Sequence, residues 1–146
     1  MSNVNVWDYM GKRVHMVGIG GSSMSGLAQM LHTDGFAVSG SDRDEGYALN
    51  KLRGLGIPVY AGHDPKRAAQ ADLLIYSAAI SPQDPERVAA RDQGIPQVER
   101  AELLGQLMRG YRQTACVCGT HGKTTASSML AQILLDAGKD PTIQQY

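Results

Sequence analysis

Two glycine-rich turns carry the residues best suited to chemistry in this chain of 146 residues. The second turn reads GTHGKTT, residues 119 to 125, and has the short form GxxGK[ST] of a phosphate loop. The full form GxxxxGK[ST] fails, because Val117 stands in place of its first glycine. Such loops curl backbone N–H groups around phosphates, a lysine neutralises β and γ oxygens, and a hydroxyl reaches Mg²⁺. The loop therefore predicts a triphosphate, ATP with Mg²⁺, with Lys123 and Thr124 as catalytic residues and Thr124 as the Mg²⁺ ligand. A glycine turn without function is the alternative.

The first turn reads GIGGSSMSG, residues 18 to 26, and follows an apolar strand-like run. This is the context of a dinucleotide-binding turn, in which the N-terminus of the following helix receives phosphates. Gly18 permits the tight turn and Gly20 permits close approach of a diphosphate. Ser23 replaces the expected third glycine or alanine, so the pattern favours a diphosphate in general over NAD in particular. A purely structural glycine turn is the alternative.

The two turns sit in an alternation of short β-rich runs and helical stretches. The predicted strands are RVHMVGIG, FAVSGSD, IPVYAG, ADLLIYSAAI, IPQVE and TACVC. The helix after the first strand repeats apolar residues at helical spacing, from Met24 to Leu31. This alternation predicts an α/β fold: a Rossmann-like parallel sheet with flanking helices.

A hinge at RGYRQ divides the predicted organisation into two parts. Residues 1–108 form the Rossmann-like domain, and residues 109–146 form the first strand, loop and helix of a P-loop ATPase domain. The helix of the second part has a predicted apolar face, which consists of Ala126, Met129, Leu130, Ile133, Leu134 and Ala137. An unpaired strand edge invites association, so a homodimer of the chain is a further expectation.

Composition narrows the function classes. Fourteen acidic and fourteen basic side chains cancel, so the chain offers no overall field for nucleic acid or an anionic membrane. Cys116 and Cys118 are predicted to be buried free thiols in a reducing cytosol. The start of the sequence has no apolar leader, which together with the cysteines predicts a cytoplasmic protein.

Several smaller candidates lie near the ends of predicted strands. His63 and Ser77 follow the third and fourth strands, at the sheet edge where ligands bind in such folds. A histidine without function and a capping serine are the alternatives. Asp42 ends the second strand, where an acidic residue normally takes ribose hydroxyls. His15 and His32 are interpreted as structural. Core packing is predicted for Met16, Met24, Met30, Met108 and Met129.

Taken together, HMVGIGGSSMSGLAQML, VSGSD, YSAAI, GTHGKTTASSMLAQIL and AGKDPT resemble the Mur ligases in order and spacing, from about Arg13 to Thr142. The resemblance implies a first domain that holds the UDP part of UDP-N-acetylmuramate, followed by an ATPase domain and an amino-acid domain. The diphosphate turn would consist of Gly18, Gly20, Gly21, Ser22, Ser23 and Met24. The uridine would be bordered by Asp42, His63 and Ser77. The ATP phosphates would be held by Gly119, Thr120, His121, Gly122, Lys123, Thr124 and Thr125.

The implied reaction is ATP-dependent ligation of L-alanine to the carboxylate of UDP-N-acetylmuramate through an acyl phosphate, a step of peptidoglycan synthesis. This chain is expected to bind the UDP-sugar and to be inactive alone, with the L-alanine site in a domain that it lacks. The alternatives are a tripeptide-adding recycling ligase of the same family, an NAD-dependent Rossmann oxidoreductase, and a noncatalytic UDP-sugar-binding fragment. Ser23, Ala126 and the closing IQQY depart from the family pattern.

Overall fold

The computed structural model describes residues 3–144 and contains one parallel sheet of five strands in the order β3-β2-β1-β4-β5. The strands are β1 Arg13–Val17, β2 Ala37–Asp42, β3 Val59–Ala61, β4 Leu73–Tyr76 and β5 Gln97–Glu99. A 3-10 helix spans Val6–Tyr9, and the α-helices are α1 Ser22–Thr33, α2 Tyr47–Gly54, α3 Pro65–Ala68, α4 Pro85–Asp92, α5 Arg100–Arg109 and α6 Lys123–Asp136. The α/β prediction with a parallel sheet and flanking helices is thus confirmed.

Alternation along the strands separates two hydrophobic cores, one on each face of the sheet. Val14 and Met16 of β1 pack with the buried residues of α1, α2 and α5, whereas Val17 packs on the opposite face with Ala68 of α3 and Ala90 of α4. Successive side chains of a strand point to opposite faces, so His15 lies on the same face as Val17. The apolar stripe predicted for α1 is buried, which explains why this helix lies flat on the first face.

Asp84 fixes the start of α4. Its side chain accepts hydrogen bonds from the N–H groups of Glu86 and Arg87, and Pro85 occupies the first turn, where its missing N–H costs nothing. This cap determines where Glu86, the second residue of the helix, enters the second face of the sheet.

The predicted sixth strand at TACVC is wrong. Residues 114–118 form neither strand nor helix, and Cys116 and Cys118 are exposed free thiols rather than buried ones. A strand needs a neighbour for its backbone N–H and C=O groups, and within residues 3–144 the sheet ends at β3 and β5.

The apolar face predicted for α6 is also mostly uncovered. Ala131 is the buried residue of this helix among those described, while Met129 and Ile133 are each 62% exposed. The core role predicted for Met129 is therefore wrong. Of the closing IQQY segment, Gln144 donates from Nε2 to the Ser23 carbonyl at 3.3 Å, and residues 145–146 lie outside the described part.

Candidate nucleotide-binding site

The turn after β1 presents an open helix N-terminus at the carboxyl edge of the sheet. Gly18 has φ +79°, a conformation that favours glycine, and its N–H donates to the Ser41 carbonyl of β2 at 2.8 Å. Gly21 precedes α1 as its N-cap without any side-chain cap, and both Gly21 and Ser22 are exposed. The first N–H groups of a helix lack intrahelical partners and favour anions, so this turn is suited to a phosphate.

The neighbours of Gly20 leave no room for a side chain at this position. Its N–H donates to Asp42 Oδ2 at 2.8 Å, and a Cβ at this position would lie 2.8 Å from both that oxygen and Leu49 Cδ1. Asp42 Oδ1 also accepts from the Asp44 N–H at 3.3 Å. Asp42 therefore ties the end of β2 to the glycine turn.

The order of the strands reverses between β1 and β4, and the crevice at such a switch point is where open α/β sheets bind ligands. Ser77 follows β4 at this place. A Cβ on Gly18 would lie 4.0 Å from Ser77 Oγ and 3.5 Å from Ile80 Cδ1. The structure thus brings the predicted residues Gly18 and Ser77 to one crevice.

Arg100 is a charged neighbour of this turn that sequence reasoning missed. It begins α5, and its Nη1 donates to Ser23 Oγ at 2.9 Å. Ser23 is the residue that departs from the glycine pattern, and this departure was the one sign in the sequence that Ser23 has a partner. The hydrogen bond brings a guanidinium to the first turn of α1, where its charge adds to the field for an anion.

His63 lies against a buried polar network on the second face of the sheet. Glu86 is fully buried and accepts hydrogen bonds from His15 Nε2 and Ser41 Oγ, each at 2.7 Å. Burial alone would raise the pKa of Glu86, but the hydrogen bonds from His15 and Ser41 outweigh it and lower the pKa. His63 Nδ1 lies 3.4 Å from Glu86 Oε2 and 3.5 Å from Asp84 Oδ2.

The second glycine-rich turn forms a short loop before α6. Gly119 has φ +156° and Gly122 has φ +76°, and α6 begins at Lys123. Lys123 Nζ donates to the Gly119 carbonyl at 2.7 Å, so the ammonium group lies across the loop. Thr124 and Thr125 lie in the first turn of the helix, and all residues from Gly119 to Thr125 are exposed. The loop and helix predicted here are present, without the predicted strand before them.

Comparison with known proteins supplies the family. Residues 13–112, more than half of the chain, match the Mur ligase family, catalytic domain. The chain belongs to the Mur ligase family. Among curated relatives, the UDP-N-acetylmuramate–L-alanine ligase of Chlorobium phaeovibrioides is 48% identical over 133 residues, and that of Clostridium botulinum is 45% identical over 132. These matches cover 90% of this chain but only 28% and 29% of those proteins.

Solved structures agree on the fold. The UDP-N-acetylmuramate–alanine ligase of Thermotoga maritima superposes with a TM-score of 0.84 at 35% identity, covering 90% of this chain and 31% of that one. A tripeptide ligase of Neisseria meningitidis, named for UDP-N-acetylmuramate and L-alanyl-γ-D-glutamyl-meso-diaminopimelate, gives 0.79 at 35% identity, covering 87% and 40%. Between residues 3 and 144, every helix is too short or too polar to cross a bilayer.

Proposed function

We propose that this Mur ligase chain supplies the UDP-N-acetylmuramate-binding part of an enzyme that ligates L-alanine in an ATP-dependent, cytoplasmic step of peptidoglycan precursor synthesis. The observation that carries the proposal is the open turn from Gly18 to Ser22, which lies at the switch point of the sheet. The L-alanine ligases named above, at 45–48% identity, support this choice of amino acid.

The diphosphate of the UDP-sugar binds at the N-terminus of α1. The N–H groups of Ser22, Ser23 and Met24 point along the helix axis toward the turn and receive the phosphate oxygens. Gly18, Gly20 and Gly21 shape the turn. Their tie to the β2 carbonyl and to Asp42 holds it before the ligand arrives. Such preorganisation lowers the entropy that binding must overcome.

The nucleoside is bordered by side chains from the neighbouring strand ends. Ser77 lies beside Gly18 and offers a hydroxyl, and Asp42 lies against Gly20. His63 is 52% exposed in its side chain and follows β3, at the same edge of the sheet. Arg100, held by Ser23, contributes a positive charge close to the phosphates.

The second loop fits the phosphate chain of ATP. Its residues are exposed, its two glycines adopt positive φ, and the N-terminus of α6 has no side-chain cap that would compete with a ligand. The Lys123 ammonium donates to the Gly119 carbonyl and would turn from it toward an anion. The Thr124 hydroxyl would hold Mg²⁺. Thr120 and His121 complete the exposed loop. Bound ATP would supply the phosphoryl group that activates a carboxylate.

Alone, the chain binds without turnover. It spans about 28% of the length of the curated relatives that it matches. An alanine-dependent release of phosphate by the purified chain would contradict this part of the proposal.

The recycling tripeptide ligase is the second candidate, because the Neisseria enzyme has the same fold at the same identity as the Thermotoga enzyme. A nicotinamide-dependent function accounts for the first turn but leaves the second loop without a role.

Calorimetric titration with UDP-N-acetylmuramate, UDP and NAD tests the proposal. We expect saturable binding of the two uridine nucleotides at one site per chain, with NAD much weaker. Tighter binding of NAD than of UDP-N-acetylmuramate would overturn it. The Lys123→Ala variant is the matched control, because it changes the second loop and leaves the first turn intact.

A further inference from the structure

Two carboxylates converge on one nitrogen of His63 at the carboxyl edge of the sheet. The Nδ1 atom lies 3.4 Å from Glu86 Oε2 and 3.5 Å from Asp84 Oδ2, and all three atoms lie within 4.8 Å of one another. Hydrogen bonds from N–H to oxygen normally span about 2.7–3.2 Å, so both contacts are longer than a good hydrogen bond. An imidazole Nδ1 carries at most one proton and cannot satisfy both carboxylates.

The two separations from His63 Nδ1 suit ligands that share a metal ion. Zinc bonds to nitrogen and carboxylate oxygen measure about 2.0–2.2 Å, which puts the ligand atoms of a tetrahedron roughly 3.3 Å apart. One imidazole and two carboxylates form a ligand set that borderline divalent ions accept.

The surrounding structure holds each ligand in place. Asp84 uses Oδ1 to cap α4, through the N–H groups of Glu86 and Arg87, and turns Oδ2 toward His63. Glu86 is oriented by His15, which contacts Oε1, and by Ser41 Oγ, which lies 2.7 Å from both Oε1 and Oε2. Such outer hydrogen bonds are typical of metal ligands, because they fix the orientation of the donor atoms.

The residues before and after His63 in the sequence are each fixed by a hydrogen bond. The Gly62 N–H donates to the Asp42 carbonyl at 2.7 Å, and Asp64 caps α3 by accepting from the Arg67 N–H at 3.1 Å. The His63 ring is half exposed, whereas Glu86 is fully buried and Asp84 nearly so. The two carboxylates of the group are therefore buried, and its imidazole is accessible to solvent.

We propose that His63 Nδ1, Asp84 Oδ2 and Glu86 Oε2 bind a borderline divalent cation such as Zn²⁺, with a fourth position open to solvent. The ion neutralises the two facing carboxylates and ties the loop after β3 to the start of α4. This leaves His63 Nε2 for the crevice. The site is distinct from the Mg²⁺ position at Thr124 and does not depend on the proposed function.

Zinc titration tests the proposal on the full chain in a Cys116→Ser/Cys118→Ser background, which removes the two exposed thiols as competing ligands. His63→Ala removes the exposed ligand. Asp84→Asn keeps the capping oxygen and replaces the oxygen that faces His63, so α4 retains its start. Glu86 is left unchanged, because its loss would strand His15 and Ser41 in the core. His32→Ala, at an exposed position of α1, is the matched control.

We expect one Zn²⁺ per chain by calorimetry, a rise in Tm with added ZnCl₂, and reversal of both by EDTA. Either ligand variant should weaken zinc binding by about tenfold or more, since even outer-shell changes cost 10- to 100-fold. The His32 variant should bind like its parent. Equal zinc affinity in the parent, His63→Ala and Asp84→Asn chains, or absence of stoichiometric binding, would overturn the proposal and leave His63 as an ordinary ion-pair partner.

Discussion

Replacing Gly20 with alanine tests how closely the glycine turn after β1 is packed. The new Cβ would lie 2.8 Å from Leu49 Cδ1, a side chain that is 1% exposed, and 2.8 Å from Asp42 Oδ2. Both contacts are too short, so a side chain or the turn must move. Overpacking a well-filled site costs about 1–3 kcal/mol.

Moving Asp42 away also removes its hydrogen bond from the Gly20 N–H, a bond to a charged acceptor that contributes about 1.5–3 kcal/mol. The two effects relieve one another in part, so we expect a total loss of about 2–4 kcal/mol in the free energy of unfolding. For a chain of this size that lowers Tm by roughly 5–15 °C. Because the turn shifts, affinity for UDP-N-acetylmuramate should fall at least about tenfold at a temperature where the variant is folded, which corresponds to about 1.4 kcal/mol.

Thermal unfolding by circular dichroism and calorimetry on the same samples measure both quantities. Gly105→Ala is the matched control. It lies in the middle of α5 with open space around its added Cβ, and alanine there should raise stability by about 0.5–1 kcal/mol. A Gly20→Ala chain with unchanged Tm and unchanged affinity would refute the packing of Asp42 and Leu49 against the turn.

Three further outcomes follow from other contacts. Hydrogen bonds from the Arg13 backbone and side chain lower the pKa of Asp72. The stabilisation by ionised Asp72 is therefore present above the ordinary aspartate pKa and is lost as the pH falls through the lowered pKa. Asp72→Asn should flatten the acid limb of a plot of Tm against pH, and an unchanged limb would contradict this. Cys116 and Cys118 should both react with a thiol reagent in the native chain within seconds to minutes, whereas slow reaction limited by unfolding would show that they are buried. Ile133→Glu, at an exposed position of α6, should change the free energy of unfolding by no more than about 0.5 kcal/mol. It should also reduce the association seen by light scattering at high concentration, and association that persists unchanged would place any dimer contact elsewhere.

Local patterns were enough to predict the parallel sheet and its flanking helices. The alternation of strands and helices, the turn that opens α1 and the stripe from Met24 to Leu31 depend on neighbours along the chain, and all three are confirmed. The loop and helix at residues 119–136 were predicted for the same reason. Local β propensity was misleading at residues 114–118, because a strand forms only beside another strand.

Contacts between distant residues could not be predicted. Ser23 and Arg100 are 77 positions apart, and His63 and Glu86 are 23 apart. Their meeting depends on the order of the strands and on which face each helix covers, neither of which the periodicity of a single segment contains. His15 is buried and contacts Glu86, a residue that no sequence pattern singled out.

The central claim is that the turn from Gly18 to Ser22 holds the diphosphate of a UDP-sugar. The most direct test is two-dimensional NMR of the labelled chain during titration with UDP-N-acetylmuramate. The account predicts that the amide signals of Gly20, Gly21, Ser22 and Ser23 shift most, while those of residues 119–125 stay in place until ATP and Mg²⁺ are added. Shifts centred away from the Gly18–Ser22 turn, with that turn unaffected, would contradict it.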